Sequence, residues 1–264
     1  MRSSAVMAFC IRALKETWRI KTAFFFNILW PSLWYFMIIY VTAPLSKLPD
    51  PTAIPYAKAN VAISMIVFGF VTTGLASVAS FVAADRERGV YRKFLSTPLR
   101  SSEELLGRTL GALSVNGIVT VLISTIAFLD GARLNFQNYL ALPFSMLIMV
   151  FITLFCFGVG YIIASFTKRV ETATVAGTAS TVIIGFLTGI FIPKEQLPNI
   201  LKPLSNYFPP SAGINIISKS LLWQHPLNEL LIPFAYVAIS SIGTYFLGTM
   251  IFTYWIAWKR AEYR

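Results

Sequence analysis

The chain has 264 residues, of which 56% are hydrophobic and only 12% charged, with a mean hydropathy of +0.68. A water-soluble fold cannot hide that much apolar surface, so the composition makes the bilayer the solvent. The net charge of +11 does not point to nucleic acid. The cations sit between apolar stretches, and no basic stripe is interleaved with exposed aromatics. Cys10 and Cys156 lie far apart, His225 is the single histidine, and no group of ligating residues has metal spacing, so neither a disulfide nor a metal is expected.

In chain order, the first unit is residues 4–20. Val6, Phe9, Cys10, Ala13 and Leu14 fall on one helical face with Arg12, Lys15 and Arg19 opposite. This predicts an amphipathic helix lying in the membrane interface. The charges of Arg12, Lys15, Glu16 and Arg19 also break the apolar run that a cleaved signal peptide requires. Apolar stretches of the roughly 20 residues that a bilayer core demands follow at 22–43, with Pro31 inside, and at 59–83, 109–129, 139–166, 172–192 and 230–258. Six spans are therefore predicted. Between the fifth and sixth, residues 193–226 are too Pro-rich to span, with five of the chain's 14 prolines between Pro193 and Pro210, yet too apolar for an ordinary loop.

Charge placement gives an orientation. With the N-terminus in the cytoplasm, sixteen of the 22 Lys and Arg fall on the inner side and six on the outer side, which predicts both termini inside.

The six predicted cores hold no Asp, Glu, Lys, Arg or His. Intramembrane ionisable groups are what ion-coupled transporters use, and a membrane hydrolase would want a nucleophile, base or metal cluster. A secondary transporter binding Na⁺ through backbone carbonyls and a non-transporting membrane scaffold remain as alternatives. The chain also lacks a GxxxxGK[ST] phosphate loop. If it moves a substrate, its driving force comes from a separate subunit, and the charged interval from Asp85 to Arg108 is the one cytoplasmic stretch long enough to meet such a partner.

Within that interval, DRERGVYRKFLSTP predicts a short helix with Val90, Phe94 and Leu95 on its apolar face, bordered by Tyr91 and ended at Thr97-Pro98. Ser101 and Glu104 have capping-box spacing and open the third span. The segment FVAADRERGVYRKFLSTPLRSSEELLGR resembles the stretch after the second span of type-2 ABC transporter permeases, matched at Glu87, Arg88, Gly89, Leu95, Thr97, Pro98 and Gly107. GIFIPKEQLPNILKPLSNYFPPSAGINIISKSLL is similar to that family's segment before the last span, matched at Gly189, Pro193, Leu197, Pro198, Phe208 and Pro209.

The resemblance implies an all-α membrane protein: six transmembrane helices, an N-terminal interfacial helix, a cytoplasmic coupling helix over 85–99 and re-entrant helices in 193–226. It also implies that Asp85, Arg86, Glu87, Arg88, Gly89, Val90, Tyr91, Phe94, Leu95, Thr97 and Pro98 contact an ABC ATPase subunit, present in two copies, which binds the ATP and Mg that this chain does not. A second permease, identical in a homodimer or related in a heterodimer, completes the pathway. Gly185 and Gly189, at GxxxG spacing, and the aromatics Trp30 and Trp34 are candidates for the dimer contact or the conduit. The implied function is export of an amphipathic, lipid or lipid-linked substrate across the plasma or inner membrane.

Overall fold

The computed structural model describes residues 3–21, 25–42, 50–91, 101–135, 139–191 and 197–262. Nine helices and no strand occur among them. They are α1 (Ser3–Arg19), α2 (25–42), α3 (Pro51–Glu87), α4 (Ser101–Leu129), α5 (Ala141–Phe166), α6 (Val170–Leu187), α7 (Leu201–Tyr207), α8 (Pro209–Leu221) and α9 (Leu227–Glu262). Five of them, α3, α4, α5, α6 and α9, are long and apolar enough to cross a membrane, and α2 carries a shorter apolar run, Trp30–Val41. The chain is an all-α membrane protein.

Several helix ends depart from the sequence expectation for local reasons. α3 starts at Pro51 rather than near 59. It opens as a 3-10 turn, Pro51–Ala53, and becomes α-helical at Ile54, so Pro51 and Pro55 each fall in a first turn, where a missing N–H costs nothing, and the Asp50 side chain accepts a bond from the Thr52 N–H. α6 ends at Leu187 rather than at 192, because Thr188 and Gly189 close it and Gly189 takes φ +79°, a conformation that glycine adopts without strain. α2 is wound as a π-helix at both ends, Phe25–Leu29 and Met37–Thr42, around a short α-helix that carries Pro31 at its start.

α3 is the hub. Its apolar window is 78% buried, against 22% for α9, and it packs on α2, α4, α5, α6 and α8. Close approach to α5 depends on missing side chains. A Cβ on Gly74 would strike Cys156, and one on Gly160 would strike the carbonyl of Gly74. Gly74 lies in a π-helical stretch, Thr73–Ser77, the kind of local widening that displaces a helix against its neighbours. α5 and α9 form the most extensive helix pair, and a Cβ at Gly158 or Gly248 would enter the backbone of the opposing helix. Small residues at crossings let helices in lipid gain van der Waals contact where no hydrophobic force drives them together.

The apolar face predicted for α1 does form, but it is covered by protein. Gly107 and Gly111 of α4 lie against it, and a Cβ at Gly111 would stand 2.6 Å from the Ala13 Cβ. Met7, Ile11 and Trp18 project from the outer side of the same helix.

The proline-rich segment contains two short helices, α7 and α8, divided at the extended Phe208. α8 is largely buried against α5, α9 and α3.

Candidate functional site

The run Asp85-Arg86-Glu87 ends α3, and its three side chains go to three different places. Asp85 is 2% exposed. One of its oxygens accepts from the Arg12 guanidinium of α1, and the other accepts from Arg108 Nη2 of α4 at 2.7 Å. The same Arg108 nitrogen reaches Glu104 Oε1 at 3.0 Å, and the Tyr91 hydroxyl donates to that oxygen at 3.0 Å. Arg12 also holds Glu16 at 2.8 Å. Burial alone would lower the affinity of Arg12 for its proton, but the charges of Asp85 and Glu16 outweigh it and raise that affinity. Burial, and next the Glu104 charge, push the Tyr91 hydroxyl well above its ordinary range, so Tyr91 is a permanent donor here.

Arg86 points the other way. Its guanidinium donates to the carbonyl of Thr167 and, at 2.7 Å, to that of Ala164, two groups at the C-terminal end of α5. A helix end leaves such carbonyls without intrahelical partners and carries partial negative charge, which a cation satisfies. Glu87 Oε1 accepts from the Val170 N–H at 2.7 Å, which caps the N-terminus of α6 with the opposite charge. Three consecutive residues thus fasten α1, α4, α5 and α6 to the end of α3.

The next residues release the chain from the helix. Arg88 is exposed and makes no ion pair among the described residues. Gly89 takes φ +67° with open space around it, so the need for glycine is conformational: it ends α3 and sets the chain's exit direction. Tyr91 turns back into the protein, with its ring edge-on to Phe252 of α9 at 5.8 Å.

These positions narrow which of the residues from Asp85 to Tyr91 are free to meet a partner. Asp85 and Tyr91 are buried, Arg86 is half-buried, and Glu87 is exposed but engaged by α6, which leaves Arg88, Gly89 and Val90 as the accessible residues whose side chains the clamp does not use. Phe94, Leu95, Thr97 and Pro98 lie outside the described residues, as does Pro193. Glu104, expected in a capping box with Ser101, is held by Arg108 and Tyr91, while the Ser101 side chain is outside the described set.

Leu197 is buried, Pro198 accepts from the N–H groups of Leu201 and Lys202, and Phe208 and Pro209 sit at the start of α8. Gly185 has an intrachain task, since the Phe191 ring lies where a Cβ would be. That ring is also packed by Trp34 at 4.8 Å, Phe68 and Phe186, with Trp30 edge-on to Trp34.

A second polar cluster, unforeseen from the sequence, sits at the other end of α4. Asp130 pairs with Lys58 at 3.0 Å, accepts from Tyr35 at 3.1 Å and also from Tyr40, and its backbone carbonyl accepts from Lys58 at 2.6 Å. Burial would raise the Asp130 carboxyl, but the bonds from Tyr40, Lys58 and Tyr35 hold it below its ordinary value. The signal available in the sequence was a lone Asp just beyond the third span and a lone Lys just before the second.

Among the described residues no group of His, Cys, Asp and Glu has the arrangement to hold a metal. No curated protein matches the chain. The family described as ABC-2 type transporter matches residues 4–222, a range that takes in α1, the Asp85–Glu87 clamp and the α7–α8 segment. The chain therefore belongs to the ABC-2 type transporter family, as a transmembrane permease subunit.

Proposed function

We propose that two copies of this chain, together with two ATPase subunits that bind ATP and Mg, form an exporter that moves an amphipathic, lipid or lipid-linked substrate out of the cytoplasm or inner leaflet. The observation that carries the reading is the clamp at the end of α3. A segment that touches an ATPase transmits force only if it is fixed to the helices that must move, and Asp85, Arg86 and Glu87 tie its root to four of them. The coupling segment runs on from Arg88 through Phe94 and Leu95, with both termini on the same cytoplasmic side. Exposed apolar side chains on α2 and α6, among them Leu33, Phe36, Val175 and Ile183, support a pathway formed where these helices meet a second copy. In this reading the α7–α8 segment re-enters the outer leaflet, where irregular backbone is tolerated because protein surrounds it.

The test is ATP hydrolysis by the purified complex, with and without substrate. Phe94→Asp and Leu95→Asp are expected to leave the chain inserted and folded, while the ATPase dissociates or loses its response to substrate. Unchanged coupling in both variants removes the docking assignment.

A further inference from the structure

Of the run Asp85 to Arg88, the clamp uses the first three residues and leaves Arg88. This side chain faces α1 across an open concavity of about 500 Å³, whose walls include Ile11, Arg12, Lys15, Glu16, Arg19 and Ile20, a size within the roughly 300–1,000 Å³ of small-ligand clefts. Four cations and one carboxylate line it. Arg12 is already engaged by Asp85 and by the carboxylate, Glu16. Lys15, Arg19 and Arg88 are exposed and form no ion pair among the described residues, so the concavity carries uncompensated positive charge. Its remaining wall is apolar, through Ala8, Ile11 and Ile20, and Met7, Ile11 and Trp18 of the same helix, with Ile20 just after it, are exposed.

Charge beside exposed apolar side chains, on an amphipathic helix next to the first apolar run, fits one ligand chemistry: a phosphate diester whose acyl chains stay in the bilayer. A soluble anion has no use for the apolar wall, and an acidic protein surface none for cations at headgroup depth.

We infer that this concavity between α1 and the end of α3 binds the headgroup of one anionic phospholipid, bridging Lys15 and Arg19 to Arg88. The inference rests on the membrane and transport reading above for the depth of α1, and it adds a consequence. The lipid joins α1 to the residue from which the ATPase-contacting segment departs, so lipid charge sets how firmly that segment is held. Sequence reading had assigned Arg88 only to the partner-facing run.

The test is native mass spectrometry of the purified chain, alone and assembled with its ATPase, from nanodiscs of mixed phosphatidylglycerol and phosphatidylcholine. A Lys or Arg near an anionic lipid surface contributes about a fivefold preference, so three contribute on the order of 100-fold. The wild type is expected to retain phosphatidylglycerol preferentially, each of K15Q, R19Q and R88Q to lose about fivefold, and the triple variant to show no preference. Excess glycerol 3-phosphate should not displace the lipid. Equal retention of the two lipids by the wild type, or phosphatidylglycerol retention unchanged in the triple variant, overturns the site. Displacement by glycerol 3-phosphate assigns it to soluble phosphate instead. Loss of the ATPase from R88Q with lipid retention unchanged gives Arg88 to the protein partner. Each of these outcomes leaves the transport reading standing, and that reading fails on its own if no ATPase activity couples to the chain whatever lipid is retained.

Discussion

The two ends of α4 are both pinned by ions, but in different ways. At one end Arg108, on α4 itself, is 6% exposed and shares Asp85 and Glu104 with Arg12 and Tyr91. At the other, Asp130 meets Lys58 and two tyrosines while Lys58 and Asp130 keep 16% and 15% of their side-chain surface in contact with solvent. The helix has 29 residues, about 43 Å at 1.5 Å per residue, longer than the roughly 30 Å hydrocarbon core, so both clusters stand near a membrane surface. The buried cluster joins α1, α3 and α4, and its next two residues reach α5 and α6. The Asp130 cluster joins α2, α3 and α4 alone. The Asp85 end is built as a hub that holds several helices in one geometry, and the Asp130 end as a single latch.

The strongest way to break this contrast is to remove a charge from each end. Arg108→Met should destabilise the chain by about 3–5 kcal/mol, because truncating one member of a buried ion network strands the others. Glu104 would lose its cation outright, while Asp85 would keep Arg12. Thermal unfolding in detergent measures the loss. Adding Glu104→Gln should recover part of it, since the stranded charge is then gone. Lys58→Met, at the less buried end where Asp130 keeps its two tyrosine donors, should cost less, about 1 kcal/mol. Equal losses at the two ends would erase the distinction between hub and latch.

Arg86 and Glu87 sharpen the contrast by a smaller amount. Arg86→Met removes charge-assisted bonds to two carbonyls at the end of α5, worth about 1.5–3 kcal/mol. Glu87→Ala removes the cap on α6, worth about 0.5–2 kcal/mol and toward the lower end because Glu87 is exposed. Amide hydrogen exchange should localise the two effects, with faster exchange around 164–167 for the first variant and around Val170 for the second. Uniform exchange throughout α5 and α6 in both would mean that the residues do not act as separate fasteners.

Much of the fold is legible in the sequence because burial in lipid is written as composition. The ends of α4 and α5 at Leu129 and Phe166 coincide with the predicted span ends, since a change from apolar to charged residues is the physical boundary itself. The glycine contacts are only partly legible: Gly107 and Gly111, four residues apart, do pack α4 on α1, but spacing misleads elsewhere. Gly185 and Gly189 have the spacing of a helix-crossing pair, yet one seats the Phe191 ring and the other ends α6. The close crossings use Gly158 with Gly248 and Gly74 with Gly160, pairs that no local spacing connects. The clamp was half legible. A charged run at a span end reads as solvated surface because its partners, Arg12, Thr167 and Val170, lie 73 to 83 residues away. Only assembly of the helices reveals that Asp85 is inside.

The smallest expected effect concerns pH at the Asp130 latch. Asp130 is held below its ordinary carboxylate value of 3.8, with the bonds from its two tyrosines and Lys58 outweighing burial. A carboxyl whose folded value is depressed binds its proton more readily in the unfolded chain. Its contribution is therefore complete above the unfolded value and disappears as pH falls through the folded one. The stability difference between wild type and Asp130→Asn should stay constant from neutral pH to about pH 5 and shrink only as the pH falls below about 4. Thermal melts of the two proteins across that range give the comparison directly. A difference that already fades between pH 7 and 5 would mean that Asp130 is not held as an ion by Lys58 and the tyrosines, and this latch would then be only a set of neutral hydrogen bonds.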